Sequence, residues 1–164
     1  MFKNLFKKES SNTKIYAPIN GEIVSLEEVP DPVFSQKMMG DGIAIKPNKG
    51  QVYSPVEGEV VQIPDTKHAI GLRTGDGIEI LIHIGLETVS LEGKGFTINV
   101  STGDKVSVGD SLMEFDLEYV RNNASSDISP IVITNGKDTG KTFSMTEERE
   151  SIAGETVIIT TSEQ

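Results

Sequence analysis

His68 and His83 are the only two histidines in a chain of 164 residues, and they stand fifteen positions apart. An imidazole titrates near neutral pH, so it can serve as nucleophile, general base, general acid or metal ligand. Two of them side by side suit three kinds of chemistry. In the first, a neutral ring nitrogen attacks phosphorus while the neighbouring ring donates an N–H to the phosphoryl oxygens. A hydroxyl such as Thr66 could fix the tautomer of that neighbour. The second is metal binding, with two ligands here and others from elsewhere, and the third is acid–base catalysis. Against all three stands the plain alternative that each histidine is a satisfied structural residue; two histidines alone in the chain, both in strongly patterned stretches, weigh against it. No H-x-H, H-x-x-H or H-E-x-x-H spacing occurs, which weakens metal catalysis. Nucleophilic serine or cysteine chemistry has no G-x-S-x-G and no cysteine to rest on. Gly40-Asp41-Gly42 and Gly75-Asp76-Gly77 precede no helix signal, which weighs against a nucleotide-binding loop.

These two residues must be carried by strands. In the stretch 78–85, Ile78, Ile80, Ile82 and Ile84 alternate with Glu79, Leu81 and His83, the period-two pattern of a β-strand. The isoleucines take the buried face, so His83 points the other way with Leu81 beside it, and Gly85 lets the chain turn. If 66–72 is also a strand, Thr66, His68 and Ile70 share a face. A hairpin closing around 73–76 then sets Leu72 opposite Gly77 or Ile78, and His68 opposite Leu81 or Ile82. A bulge of one or two residues brings it beside His83.

The surrounding chain repeats itself. Ala17-Pro18-Ile19-Asn20-Gly21-Glu22-Ile23-Val24 returns as Ser54-Pro55-Val56-Glu57-Gly58-Glu59-Val60-Val61, and Gly40-Asp41-Gly42-Ile43-Ala44-Ile45 returns as Gly75-Asp76-Gly77-Ile78-Glu79-Ile80. The offsets, 37 and 35 residues, describe an internal duplication with one length change. A second echo joins Val106-Ser107-Val108-Gly109-Asp110 to Ser151-Ile152-Ala153-Gly154-Glu155. Short strands punctuated by turns predict an all-β, antiparallel sandwich or barrel with two related halves and little helix. A helical turn or two is expected over 117–124, and a polar loop over 135–146.

Composition narrows the class. The length fits one domain, with the predicted domain spanning 14–164 behind a tail at 1–13. The absence of cysteine excludes disulfides and thiol chemistry and suits a reducing cytoplasm. A formal net charge of −10 disfavours nucleic acid; it would steer a basic protein partner, and equally suits a solvated acidic surface that keeps the chain in solution. No apolar run reaches the ~20 residues of a spanning helix. In the tail, Met1, Phe2, Leu5 and Phe6 can share one helix face with Lys3, Lys7 and Lys8 around it, which suits peripheral contact with an anionic membrane.

The run Ile80-Leu81-Ile82-His83-Ile84-Gly85-Leu86-Glu87-Thr88-Val89, followed by Leu91-Glu92-Gly93-Lys94-Gly95-Phe96, resembles the active-site signature of glucose-type enzyme IIA, a phosphocarrier of the bacterial phosphoenolpyruvate-dependent sugar phosphotransferase system. The resemblance extends through Val29-Pro30-Asp31-Pro32-Val33-Phe34 and Thr66-Lys67-His68-Ala69 and covers nearly everything from Ile15 to Thr160. It implies a duplicated barrel-sandwich hybrid fold. It implies that His83 accepts the phosphoryl group on Nε2, that His68 stabilises it and is needed to pass it on, and that Thr66 orients His68. The implied donor is the phosphocarrier HPr, and the acceptor is a cysteine on the IIB domain of a sugar permease (IIB/IIC). Asp31, Val33, Phe34, Met39, Leu81, Glu87 and Val89 would form an apolar, acid-flanked rim for these partners. No cofactor and no intrinsic metal are implied; zinc would be held by His68 and His83 only where a regulatory partner adds a carboxylate. The alternative role is a regulatory module that docks transporters or kinases through the same face. Pro64 and Gly71 stand where the enterobacterial pattern has aromatics, and Glu87 where it has aspartate, so the rim is expected to be shaped differently.

Overall fold

A computed structural model describes residues 13–163 of the chain. The predicted tail, with its amphipathic membrane-contact reading, lies otherwise outside the described residues. Thr13 itself is described: its amide donates to the Thr161 hydroxyl at 2.8 Å and its carbonyl accepts from the Thr161 amide at 2.9 Å. Among the described residues no helix is long and apolar enough to cross a membrane.

The strands in chain order are β1 (Lys14–Tyr16), β2 (Gly21–Ser25), β3 (Asp41–Pro47), β4 (Gln51–Tyr53), β5 (Gly58–Gln62), β6 (Ala69–Thr74), β7 (Glu79–His83), β8 (Phe96–Ile98), β9 (Lys105–Val106), β10 (Ser111–Phe115), β11 (Ser129–Ile133), β12 (Lys141–Met145), β13 (Glu150–Ser151) and β14 (Val157–Glu163). All pairings are antiparallel. One eight-stranded sheet runs β13-β2-β3-β11-β7-β6-β5-β9, and two three-stranded sheets run β1-β14-β12 and β4-β10-β8. The predicted all-β class and low helix content hold.

The large sheet reads alike from both ends: β13 matches β9, β2 matches β5, β3 matches β6, and β11 and β7 meet in the middle. The two small sheets match in the same way. The 37-residue echo is a true structural repeat, since it places β2 against β5. The 35-residue echo is not: it equates β3 with β7, whereas the counterpart of β3 is β6. Both β3 and β7 flank β11, so similar demands on a buried central strand account for the similar text.

Alternation along the central strands divides the apolar residues between two faces. Ile43, Ile45, Ile80, Ile82, Ile131 and Ile133 face the main core with Leu112, Met113 and Ile158. Each such side chain contributes roughly 1.5–3 kcal/mol on full burial. The opposite face carries Val24, Ala44, Val132 and Leu81 and is roofed by Leu26, Val29 and Phe34. That roof includes a helix, Pro32–Ser35, which the sequence reading did not anticipate. Asp31 caps it by accepting from the Val33 amide at 3.0 Å, and Pro32 opens it; both residues suit a helix start. The helix Leu117–Asn123 forms where expected.

The polar segment after Asn135 is not a loop throughout. β12 forms there and pairs with β14 from Lys141↔Glu163 to Met145↔Ile159. Lys141, Phe143 and Met145 are half-buried while Thr142 and Ser144 are exposed. The alternation that marks a strand is present but thin, because only two apolar side chains carry it.

Candidate functional site

β7 ends on His83, and the chain then turns through Gly85 at φ +71. A Cβ there would lie 2.7 Å from the Thr88 methyl and 2.8 Å from the Ser126 carbonyl, so no other residue fits. The turn brings the Gly85 carbonyl back to Nδ1 of His83 at 2.8 Å. A carbonyl only accepts, so Nδ1 carries the proton and Nε2 keeps its lone pair.

His68 arrives differently from the sequence expectation. Residues 65–68 are not a strand; β6 starts at Ala69. The chain turns at Asp65 and Thr66, closed by the Lys67 amide donating to the Pro64 carbonyl at 2.9 Å, and Lys67 follows at φ 60. The hairpin register also differs. Ala69 pairs with His83 and Leu72 with Ile80, with the Ile84 amide donating to the His68 carbonyl at 2.8 Å. No bulge is needed, because the hairpin closes two residues later than the count assumed, between Thr74 and Ile78 (amide to carbonyl, 2.9 Å).

The two rings meet edge to face, centroids 4.9 Å apart and planes at 78°. The Phe34 ring lies against His83 at 5.1 Å. Thr66 Oγ1 sits 2.6 Å from Nδ1 of His68. When that hydroxyl donates, the His68 proton resides on Nε2. Burial lowers the pKa of His68. Burial also takes His83 down to about 4, with the neighbouring His68 ring adding to it; the Gly85 carbonyl and the Asp31 carboxylate pull the other way. Both rings are therefore neutral at pH 7, and His83 offers a free nitrogen to an electrophile.

The pair opens into a shallow depression of about 270 Å³ lined by Asp31, Val33, Phe34, Met39, His68, His83, Glu87, Thr88 and Val89. Of the expected rim, Val33, Met39 and Val89 are exposed and Asp31 and Glu87 flank them, whereas Phe34 is buried at 4% exposure and forms floor. Leu81 does not line the depression; it is half-buried and packs into the roofed cluster with Phe34. Larger hollows near Arg149 and near Lys137 contain no histidine. Glu87 is turned by a left-handed backbone at φ 59 and held by the Ser125 hydroxyl.

Sequence reasoning missed three contributors: the Gly85 carbonyl, the buried Thr88 hydroxyl and the capped helix that seats Phe34. The glycine two residues after His83 and the Asp31-Pro32 pair were the available signals. Among the described residues no three His, Cys, Asp or Glu side chains gather as a metal ion would require.

Comparison with known proteins adds independent information. The family model for the phosphoenolpyruvate-dependent sugar phosphotransferase system, EIIA 1, matches residues 13–139. The chain is 51% identical over 162 residues to the PTS system glucose-specific EIIA component of Staphylococcus epidermidis strain ATCC 12228, and 52% identical over 162 residues to that of Staphylococcus aureus strain COL, with 97% of each chain covered in both cases. Among solved structures it is similar to the glucose permease IIA from Mycoplasma capricolum, at TM-score 0.84 and 42% identity, covering 91% of this chain and 95% of that one.

Proposed function

Because this chain belongs to the EIIA 1 family of the phosphoenolpyruvate-dependent sugar phosphotransferase system, we propose that it carries a phosphoryl group on Nε2 of His83 during sugar uptake. The observation that supports this best is the Nδ1–H bond to the Gly85 carbonyl beside a second, neutral imidazole. In the accepting step a bond forms between Nε2 of His83 and phosphorus, and the donor's phosphorus–nitrogen bond breaks. The pair of electrons returns to the donor imidazole of HPr. No proton need move, because Nε2 is already unprotonated. In the passing step a thiolate on the permease IIB domain attacks the same phosphorus, and Nε2 leaves with its electron pair. His68 acts through Nε2–H, with Thr66 donating to its Nδ1, and offsets charge on the phosphoryl oxygens. Glucose is the sugar named for the relatives, and we extend that to this chain.

The rim suits the partners in kind. Val33, Met39 and Val89 offer apolar contact, and Asp31 and Glu87 place acids to meet basic residues of HPr. Incubation with phosphoenolpyruvate, enzyme I and HPr, read by intact mass, tests the assignment. Wild type gains one phosphoryl group, His83→Gln gains none, and His68→Gln gains one but fails to pass it to a IIB domain. A wild-type protein that gains no mass, or a His83→Gln variant that does, overturns it.

A further inference from the structure

We infer that the buried hydroxyl of Thr88, supported by that of Ser129, is a positioning device for His83, acting through the backbone of Ile84 and Gly85. The inference rests on His83 being the phosphoryl acceptor. Thr88 and Ser129 are both fully buried at 0% exposure, and their hydroxyls bond to the backbone of Ile84, Gly85 and Asp127.

Consider what holds the carbonyl that fixes the His83 tautomer. It belongs to Gly85, a residue without a side chain in a left-handed conformation, whose torsions are intrinsically loose. Consecutive peptide groups around it are nonetheless pinned on every polar atom. The Ile84 amide donates to the His68 carbonyl at 2.8 Å, and the Ile84 carbonyl accepts from Thr88 Oγ1 at 2.6 Å. The Gly85 amide donates to Ser129 Oγ at 3.2 Å, and Ser129 Oγ donates on to the Asp127 carbonyl at 2.9 Å. The Leu86 amide donates to the Ser126 carbonyl at 2.9 Å. The Gly85 carbonyl is then the one acceptor of this run turned towards His83.

Two of these pins are side chains, and only side chains can be removed by substitution. Thr88 holds the carbonyl side of the Ile84–Gly85 peptide and Ser129 holds its amide side. Between them they fix the plane from which Gly85 projects. The Thr88 methyl also closes the space beside Gly85. Without the hydroxyl, the Ile84 carbonyl is buried with no partner, and such a group drives local rearrangement to find one. The peptide rotates, Nδ1 of His83 loses its acceptor, and the proton redistributes between the two ring nitrogens. Every molecule with the proton on Nε2 has lost the attacking lone pair.

Thr88 thus offers a clean separation of hydroxyl from shape. Thr88→Val keeps the methyl and the volume but removes the donor. Thr88→Ser keeps the donor and removes the methyl. Ring nitrogen shifts in ¹⁵N-histidine-labelled protein report the tautomer directly, and rapid-quench transfer from phospho-HPr reports the acceptance rate. We expect Thr88→Val to mix the His83 tautomers and slow acceptance roughly ten- to a hundredfold, the scale of small misplacements of a reacting group. Ser129→Ala should move both readouts the same way, and Thr88→Ser should restore both to near wild type. Leu112→Ala, a core substitution on the separate β4-β10-β8 sheet, controls for lost stability and should leave the tautomer unchanged. Wild-type tautomer and rate in both Thr88→Val and Ser129→Ala overturn the inference, as does equal damage from Thr88→Ser. A wild-type protein that takes no phosphoryl group at His83 refutes the acceptor assignment instead, and the tautomer readout still decides the positioning question.

Discussion

His83 is an imidazole kept neutral by its surroundings, and that has a cost which pH can expose. Its folded pKa, about 4, lies below the ordinary histidine value of 6.5. Between these values the unfolded chain binds a proton that the folded chain refuses, so stability falls as pH drops. The contribution is fully present above pH 6.5, is lost progressively from there to about pH 4, and changes no further below it. The loss attributable to this group is up to about 3 kcal/mol. Urea titrations across that range should show the slope in wild type and a shallower one in His83→Gln. Phosphoryl acceptance, which needs the unprotonated ring, should by contrast hold level down to about pH 5.

Much of this residue-scale picture could be read from the sequence. The alternation of isoleucines around His83 dictated which face the ring would take, and the structure places it there beside the roofed cluster. His68 was harder. Its ring is aimed by a left-handed Lys67 in a short turn, and lysine advertises no such backbone. The expected shared face for Thr66 and His68 failed for that reason, yet the two still meet, because the turn bends the hydroxyl back onto Nδ1.

At the scale of elements, the helix Pro32–Ser35 controls the floor of the depression. It is too short to be stable by its own hydrogen bonds, so the Asp31 cap and the burial of Phe34 must hold it. Asp31→Ala should destabilise the protein by about 1 kcal/mol and raise hydrogen exchange at the Val33 amide. Asp31→Asn keeps a capping oxygen and should protect that amide. Both substitutions remove the carboxylate that draws the His83 pKa upward, so NMR titration should find the ring shifted further down in each. Protection of Val33 lost equally in both would show that charge, not the cap, holds the helix. The element escaped sequence analysis because a single turn has no periodicity to detect. β12 escaped because its apolar stripe has only Phe143 and Met145 to show.

Across the whole molecule, the halves are tied together away from the histidines. Lys141 on β12 has a side chain only 8% exposed and reaches Asp76 at 3.4 Å and Glu163 at 3.3 Å. Asp76 also accepts from the hydroxyls of Thr13 and Thr74. The cluster joins the start of the described chain, the β6–β7 hairpin turn and the final strand. Lys141→Ala should lower stability by roughly 1–3 kcal/mol, seen in the urea midpoint, while the rate of phosphoryl acceptance stays at the wild-type value. A slowed rate would mean that the far end of the hairpin tunes the near one. The duplicated plan was legible from the 37-residue echo, but the pairing of halves was not, since β3 and β7 look alike in text without being equivalent in space.

The bond from the Ile84 amide to the His68 carbonyl has one more implication. It is a rung of the same ladder that pairs Ala69 with His83, so the backbones that carry the two imidazoles are held at a set spacing. On the proposed phosphocarrier role, the backbone frame around the pair is set before a partner docks. Donor and acceptor of the proposed relay would then meet one preset frame, and both would read the same exposed edge of Val33, Met39 and Val89.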